Sequence, residues 1–316
     1  MCRIRPRLLI LTLLALGGCA LSIDLTPRIR PLEEKIVEGR GREKILLLDL
    51  SGVLAEEPLL TFEGRPRVPL LARVREELEK AEADPRVKAL VLRINSPGGT
   101  VTASDILYRE ILRFKTTRKV PVIAVLMDVG ASGGYYIALA ADRIIAHPTA
   151  ITGSIGVLML TVNAEGLLQK IGVTPTAIKS GEMKDMGAPF RALSPEERAI
   201  LQSVIDQLHA RFVSLIVRER KLPEARVRAL ADGRILTAPE AKAAGLVDAV
   251  GYLDEAVAAA REAAELGEAK VVVYHRPKQY RATIYSAAEP FPPSLSMADL
   301  ARLIVAGPRF LYLWWP

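Results

Sequence analysis

Three short apolar runs of strand length recur in the first half of the chain. Residues 45–50, 89–94 and 120–126 are almost continuously apolar, as expected for strands that are buried on both faces of a sheet. Between these runs, apolar residues recur at helical spacing in 70–81 and 106–114. Strands that alternate with helices indicate βαβ units. The pattern therefore predicts an α/β fold with a largely parallel sheet and flanking helices.

Two later segments carry signals for helix starts. The sequence SPEE at 194–197 has a serine at the N-cap position, proline at the first helical position and glutamate three residues after the serine. This arrangement predicts a long helix that runs to about Arg220. The sequence TAPE at 237–240 predicts a second helix, which Gly245 ends.

The N-terminus has the pattern of a secretory signal. Arginines at positions 3, 5 and 7 precede the apolar run 8–16 and the small residues before Cys19, and nine apolar residues are too few to span a bilayer, which takes roughly 20. The sequence LGGC at 16–19 also looks like a bacterial lipobox, in which Cys19 receives a diacylglyceryl group. An ordinary signal with an incidental cysteine is the alternative.

Composition excludes several classes of function. The only cysteines are Cys2 and Cys19, so the mature domain has no disulfide, cysteine nucleophile or Cys-ligated zinc site, and we expect no cofactor. The formal net charge is +7, but three of its arginines lie in the predicted signal. A nucleic-acid partner therefore loses support. The basic stretch 28–44 suits an anionic membrane surface or, equally, a solvated linker.

A serine at a turn between a strand and a helix is the main candidate for chemistry. The run 120–126 leads into MDVGASGGYY at 127–136, which places Ser132 where the positive end of a helix faces it and where glycines allow close approach. Glycine-rich turns of this kind are also common as plain structure.

A second glycine turn, NSPGGT at 95–100, follows the preceding predicted strand. Because neighbouring parallel strands end on the same side of a sheet, the two turns are expected to converge. The amides of Gly99 and Gly133 would then hold the negative oxygen of a tetrahedral intermediate. For Gly98 we favour a tight turn that requires glycine. The histidines, at positions 147, 209 and 275, are poor candidates for the base and are expected to be ordinary core or surface residues.

Several motifs in order resemble those of the signal peptide peptidase A family, peptidase S49. Besides the two glycine turns, they are ADRI at 141–144, TGSIGV at 152–157, KSG at 179–181 with KD at 184–185, GR at 233–234 with Thr237, and GLVD at 245–248. The resemblance covers about residues 44–275. It implies that Ser132 is the nucleophile, that Lys184 is the general base and that the hydroxyl of Ser154 orients the lysine amine.

A lysine can accept a proton from serine only if its amine is neutral. An ordinary lysine is protonated near neutral pH, and burial in an apolar site lowers the pKa of a lysine. Asp185 directly follows Lys184, so we expect the aspartate to point away or to pair elsewhere, for example with Lys179.

The resemblance also implies an architecture and a substrate. Family members have the layered α/β protomer of Clp proteases and crotonases, and short members form rings in which the serine of one subunit meets the lysine of its neighbour. We therefore expect a homo-octamer on the extracytoplasmic face of a bacterial cytoplasmic membrane. Its substrates would be signal peptides left in the membrane and other unfolded or membrane-embedded peptides.

The expected organisation has four parts. They are a lipoprotein-type signal peptide (1–18), a membrane-proximal linker (19–43), the peptidase domain (44–275) and a Pro-rich, aromatic tail (276–316). The tail is expected either to pack on the body or a neighbouring subunit, or to reach the membrane interface or the substrate groove.

Four rival interpretations remain open. A crotonase-like acyl-CoA enzyme would use the two glycine amides to hold a thioester enolate, but the secretion signal argues against it. A non-enzymatic membrane scaffold would leave Ser132 structural. A protease of the same family could cleave a specific membrane protein instead of signal peptides, and a Ser-His arrangement could use His147.

Overall fold

The computed structural model describes residues 30–56, 68–277, 282–286 and 310–314 of the 316-residue chain. Its strands are β1 (Glu33–Gly39), β2 (Glu43–Ser51), β3 (Val87–Ser96), β4 (Gly98–Thr100), β5 (Val122–Ala131), β6 (Arg143–Ala146), β7 (Ile151–Gly153), β8 (Leu158–Met159), β9 (Ile235–Thr237), β10 (Ala249–Val250), β11 (Ala269–His275) and β12 (Phe310–Leu313). Its α-helices are α1 (Leu70–Ala83), α2 (Val101–Arg118), α3 (Gly133–Ala138), α4 (Glu165–Lys170), α5 (Pro195–Arg220), α6 (Glu224–Leu230), α7 (Ala238–Ala244) and α8 (Leu253–Ala263).

The main sheet is largely parallel, which confirms the predicted α/β class. Its strand order is β1-β11-β2-β3-β5-β6-β10, and every neighbouring pair is parallel except the antiparallel pair of β1 and β11. The end of β5 also pairs with β7, which in turn pairs with β9. The three predicted apolar runs lie mainly within β2, β3 and β5. A second sheet of three short strands has the order β4-β12-β8.

Helices cover both faces of the main sheet. Along β2, Leu46, Leu48 and Leu50 belong to one buried cluster and Ile45 and Leu47 to the other, because successive side chains of a strand point to opposite faces. Residues of α1, α2, α3 and α5 pack in the first cluster and those of α8 in the second. The sheet is therefore buried on both sides, as its continuous apolar runs predict.

The two predicted helix starts are confirmed. The Ser194 hydroxyl accepts a hydrogen bond from the Glu197 amide at 3.1 Å, and the Glu197 carboxylate accepts one from the Ser194 amide at 2.8 Å. Thr237 and Glu240 form the same capping box at the start of α7, which Gly245 ends with a φ of 84°. Within the described ranges, α5 alone has the length and apolar composition to cross a membrane; this is weak evidence, since core helices of soluble proteins meet the same criterion.

The predicted linker 19–43 includes a strand that the sequence pattern did not indicate. Residues Glu33–Gly39 form β1, which pairs with β11 at the edge of the sheet. Six of its seven residues are exposed, and four of those six are charged, so the apolar alternation of a half-buried strand is missing. Just after β1, buried Lys44 pairs with Glu34 at 2.6 Å and Asp84 at 2.8 Å, and these contacts attach the segment to the domain.

Part of the predicted tail also belongs to the body. Residues 310–313 form β12 between β4 and β8, which supports packing of the tail on the domain. Residues 282–286 lie against the sheet, where buried Arg93 pairs with Asp49 at 2.6 Å and donates a hydrogen bond to the Ser286 carbonyl at 2.9 Å. The predicted signal peptide and Cys19 lie outside the described residues.

Candidate active site

Ser132 lies at the junction of β5 and α3 in a conformation that is unusual for a non-glycine residue. Its φ is 51° and its ψ is −115°, a region that L-amino acids rarely occupy and that recurs at functional sites. Its side chain is 1% exposed, and its Oγ has no hydrogen-bond partner among the described residues. A buried hydroxyl held in a strained turn without a partner is costly, which favours a functional role over a purely structural one.

The turn at 95–100 is fixed by its own polar side chains. The Asn95 Oδ1 accepts a hydrogen bond from the Val129 amide at 3.0 Å, and the Ser96 Oγ donates one to the Gly52 carbonyl at 2.6 Å. The Gly98 amide donates to the same Ser96 Oγ at 3.1 Å, and Gly98 has a φ of 102°. The tight turn that we expected at Gly98 is therefore present.

The two glycine turns meet, as predicted. A Cβ atom added to Gly98 would lie 2.8 Å from the Gly133 amide nitrogen, and one added to Gly133 would lie 3.1 Å from the Gly98 Cα. Neither position has room for a side chain. The close approach brings the backbone of the first turn beside the residue that follows Ser132.

The Gly99 amide points into the space next to this junction. The Gly98 carbonyl and the Thr100 amide both bond to Leu54, at 2.9 and 2.8 Å. Because backbone groups alternate in direction along a strand, the amide and carbonyl of Gly99 point to the other side, where β12 pairs with it. Gly99 and Gly133 thus both lie beside Tyr312 of β12: Gly99 pairs with it, and a Cβ added to Gly133 would lie 3.1 Å from its carbonyl oxygen.

Ser154 lies close to Ser132 through the backbone of β7. The Ser132 amide donates a hydrogen bond to the Gly153 carbonyl at 2.8 Å, and the Ser154 amide donates one to the Arg234 carbonyl at 2.7 Å. Ser154 has a φ of 49° and is 8% exposed. The paired strands β5 and β7 thus bring the two predicted serines together.

Lys184, in contrast, is on the surface of the single chain. It lies in a short 3-10 helix, Glu182–Asp185, and its side chain is exposed. The structure does not join it to Ser132 by a hydrogen bond, since the Ser132 Oγ has no partner in the described part of the chain. Five residues of this domain were predicted to form the site. Lys184 is the one that is not brought together with the others, which are Ser132, Gly99, Gly133 and Ser154.

Asp185 is paired away from Lys184. Its carboxylate bonds to Lys179 and to Arg191, both at 2.7 Å, which confirms the predicted pairing with Lys179. The hydrogen bond from Arg191, and to a smaller extent that from Lys179, holds the pKa of Asp185 well below its usual range. Arg191 also pairs with Glu197 at the start of α5, so this cluster fixes the base of the loop that carries Lys184.

Apolar side chains are exposed around the same loop. They project from residues that precede and follow Lys184 in the chain: Leu167, Ile171, Val173, Ile178 and Phe190, with exposures of 47% or more. Exposed apolar residues concentrated in one segment usually mark a contact surface.

The histidines each have a local partner. The ring of His147 contacts the Thr149 hydroxyl at 2.9 Å, that of His209 the Ala231 carbonyl at 2.8 Å and that of His275 the Arg276 carbonyl at 2.9 Å. None is hydrogen-bonded to the Ser132 Oγ in the described ranges. Within those ranges, too, no group of three His, Cys, Asp or Glu side chains could hold a metal ion.

Comparison with known proteins assigns the family. The model of peptidase family S49 matches residues 114–267. A protein of Enterococcus faecium named for signal peptide peptidase SppA is 36% identical over 245 residues, which cover 77% of this chain and 70% of that protein. The chain belongs to peptidase family S49. It is a serine protease.

Two other relatives are much longer than this chain, which matches about a third of their length. Protease 4 of Salmonella typhi is 38% identical over 190 residues, which are 60% of this chain but 30% of that protein. Serine protease SPPA of Arabidopsis thaliana, a chloroplast protein, is 35% identical over 230 residues, which are 72% of this chain and 33% of that protein. The match to the solved structure of a ClpP1 mutant from Listeria monocytogenes covers 67% of this chain and 94% of that chain, at 19% sequence identity. The TM-score of this match, 0.43, is too low to assign a fold.

Two of the S49 motifs contribute structure and not chemistry. In ADRI, Asp142 accepts a hydrogen bond from the Val122 amide at 2.9 Å and so fixes the start of β5. In GLVD, Asp248 accepts one from the Ile144 amide at 2.7 Å and pairs with Arg220 at 2.6 Å. Asp142 therefore fixes the strand that leads to Ser132, and Asp248 fixes the neighbouring strand β6.

Proposed function

We propose that this S49 protein is an endopeptidase with a Ser132–Lys184 dyad that degrades signal peptides left in the membrane after secretion. The observation that carries the proposal is the buried, unpartnered Ser132 hydroxyl beside two glycine turns. Membership of the family supports it, since both residues lie within the matched region.

The proposed reaction follows from these positions. The Ser132 Oγ attacks the carbonyl carbon of the scissile bond, while Lys184 takes the hydroxyl proton and then gives it to the leaving amine. The amides of Gly99 and Gly133 donate to the oxygen that becomes negative, and such donors are worth roughly 2.7–4 kcal/mol each in the transition state. Water then hydrolyses the acyl-enzyme. Ser154 positions the lysine amine.

The exposed position of Lys184 suggests that the base comes from a neighbouring subunit. The lysine lies in a loop whose base is fixed by Asp185, Arg191 and Glu197, while the surrounding apolar side chains have no cover in the single chain. Packing of this loop against another copy would bury them and bring an amine into an apolar setting, which lowers the pKa of a lysine. We therefore propose a ring with shared active sites, a homo-octamer.

The N-terminal segment supports a location at the membrane. A signal sequence that ends at Cys19, followed by a basic stretch, fits a lipid-anchored protein on the extracytoplasmic face of the cytoplasmic membrane. The proposed organisation is a signal peptide (1–18), a membrane-proximal linker that begins with Cys19 (19–43), the peptidase domain (44–275) and the tail (276–316). This location places the active site next to peptides that remain in the bilayer.

The dyad is tested by hydrolysis of a fluorogenic peptide by the full chain in detergent. Ser132→Ala and Lys184→Ala are each expected to lose about 10³-fold or more in kcat, and Lys184→Arg should not restore activity because its guanidinium stays protonated. Lys179→Ala is the matched control, since it changes a lysine of the same loop that pairs with Asp185. Activity retained by Lys184→Ala would contradict the dyad.

Shared active sites are tested by mixing two inactive variants. In a head-to-tail ring assembled from equal amounts of Ser132→Ala and Lys184→Ala subunits, about one site in four receives both an intact serine and an intact lysine. Activity should therefore return after the two variants are dissociated and reassembled together. If serine and lysine act within one chain, the mixture stays inactive.

The substrate is tested with vesicles. The wild type should degrade a signal peptide embedded in the bilayer and should leave an intact membrane protein uncut. Ser132→Ala should cut neither. The reverse preference would favour a protease for a specific membrane protein. Absence of any reaction of Ser132 with a serine-directed fluorophosphonate would favour a scaffold.

A further inference from the structure

Extra residues in β5 interrupt its pairing with β3 shortly before Ser132. The two parallel pairs that flank the interruption are Ile94 with Leu126 and Ser96 with Gly130. Three residues of β5, 127–129, therefore lie opposite Asn95 alone. This is a β-bulge with two extra residues on β5, and bulges are common next to active sites, where they redirect a strand.

The bulge sets the level at which Ser132 meets the first glycine turn. Because Ser96 pairs with Gly130, counting two residues further along each segment brings Ser132 level with Gly98. The contact between the two turns agrees with this count, since a Cβ added to Gly98 would lie 2.8 Å from the Gly133 amide nitrogen. Without the two extra residues, Ser132 would lie about 6–7 Å further along at the usual rise of a strand. The serine would then have passed the turn.

Asn95 holds the bulge from the side of β3. Its backbone carbonyl accepts a hydrogen bond from the Gly52 amide at 3.0 Å, on the side of β2. The Val129 amide, which belongs to the bulge, donates instead to the Asn95 Oδ1 at 3.0 Å. The side chain thus supplies an acceptor to an amide of the widened ladder, whose backbone groups need partners as much as those of a regular strand.

Thr152 holds the end of the bulge from the other side. Beyond the bulge, β5 leaves β6 and pairs with β7, where Gly130 lies opposite Thr152. Thr152 is fully buried, and its Oγ1 donates a hydrogen bond to the Gly130 carbonyl at 2.7 Å. The next residue of β7, Gly153, accepts the hydrogen bond from the Ser132 amide at 2.8 Å. The hydroxyl of Thr152 therefore fixes the backbone between the bulge and the serine.

We propose that Asn95 and Thr152 are positioning residues of the protease, which hold the bulge of β5 and so keep the Ser132 hydroxyl level with the glycine turn. The proposal rests on the proposed function, because it takes Ser132 as the nucleophile. Within the described ranges, neither side chain is hydrogen-bonded to the Ser132 Oγ, so both act through the backbone of β5. Because a misplacement of about 1 Å can cost about 10²-fold in rate, a partial relaxation of the bulge is enough to slow the attack.

The test follows the reaction of Ser132 with a serine-directed fluorophosphonate in the full chain in detergent. Thr152→Val keeps the shape of the side chain and removes the hydroxyl, and its second-order rate constant of labelling should fall about 10²-fold. Thr152→Ser keeps the hydroxyl and should restore most of the rate. In peptide hydrolysis, kcat of Thr152→Val should fall by the same factor while KM is unchanged. A merely structural role would instead lower the melting temperature and leave the rate constant of the folded sites unchanged.

A second pair of variants tests the other side of the bulge and serves if Thr152→Val does not fold. Asn95 is half-buried. Asn95→Leu has a similar shape without an acceptor and should also react about 10²-fold more slowly, whereas Asn95→Asp keeps the oxygen and should react faster than Asn95→Leu. Thr117→Val, at an exposed position of α2, is the matched control and should react at the wild-type rate.

The outcomes separate this proposal from the proposed function. A wild-type rate of labelling in Thr152→Val or in Asn95→Leu would overturn the proposal and leave Ser132 as the nucleophile. An equally slow reaction of Thr152→Ser and Thr152→Val would also overturn it, because the hydroxyl would then not matter. A wild type that is not labelled at Ser132 would contradict the nucleophile itself, and the proposed function would fail together with the proposal.

Discussion

The backbone strain at Ser132 can be measured by comparing two inactive variants at that position. Ser132→Gly and Ser132→Ala both remove the hydroxyl, so any hydrogen bond that it makes in the assembled protein cancels in the comparison. The difference reports the cost of a φ of 51° and a ψ of −115° for a residue with a Cβ. Conformations of this kind cost about 1–3 kcal/mol. Glycine loses about 0.4–1 kcal/mol through the greater entropy of the unfolded chain.

We therefore expect Ser132→Gly to be more stable than Ser132→Ala by about 0.5–2 kcal/mol. Urea unfolding of both variants, followed by circular dichroism, measures the difference. A matched pair at Ser203, an exposed position within α5, provides the control. In an ordinary helix, alanine is better than glycine by about 1 kcal/mol, so the sign should be opposite. If alanine is the more stable residue at 132 as well as at 203, Ser132 is not strained and the reasoning fails.

Two further perturbations test the parts around the serine. Gly99→Ala would place a Cβ 2.0 Å from the Leu54 carbonyl oxygen, so the backbone amide of residue 99 must move. We expect kcat of peptide hydrolysis to fall about 10²- to 10³-fold. An unchanged kcat would exclude this amide from the active site. For the Lys184 loop, Arg191 lowers the pKa of Glu197 to about 2. The ion pair of Glu197 with Arg191 therefore contributes fully to the free energy of unfolding above the ordinary carboxyl pKa of about 4.5. This contribution is lost as the pH falls toward 2. Thermal melting should show a steeper acid loss in the wild type than in Glu197→Gln, and parallel curves would contradict the assignment.

The elements that the sequence predicted are those that bury continuous or periodic apolar faces. The strands β2, β3 and β5 and the helices α1 and α2 have such patterns, because burial in a layered core fixes which positions must be apolar. The helices α5 and α7 were predicted from their capping signals instead. The convergence of Ser132, Gly99 and Gly133 could be anticipated as well, whereas Ser154 was indicated only by the family resemblance. Adjacent parallel strands end at the same edge, and the motifs follow those strands directly.

Other elements depend on contacts that are distant in sequence. The strands β4, β8 and β12 have four residues or fewer, too few for a period to be visible, and they meet only because the fold brings them together. The strand β1 was missed because its exposed edge tolerates charges. The packing of the Tyr312 ring against Tyr136 and Phe212 joins the tail to two separate helices. Its only signal in the sequence was the aromatic character of the tail.

The structure divides the proposed site into two halves that differ in how they are held. The half that binds the acyl group is built from buried backbone: the Ser132 turn, the glycine junction and the strand that carries Ser154, each fixed by hydrogen bonds within the domain. The half that supplies the base is an exposed loop surrounded by uncovered apolar side chains. In the part of the chain that the structure describes, the Ser132 hydroxyl therefore has no lysine bonded to it. If assembly buries the loop and delivers the base, proteolysis becomes a property of the ring and not of the single chain.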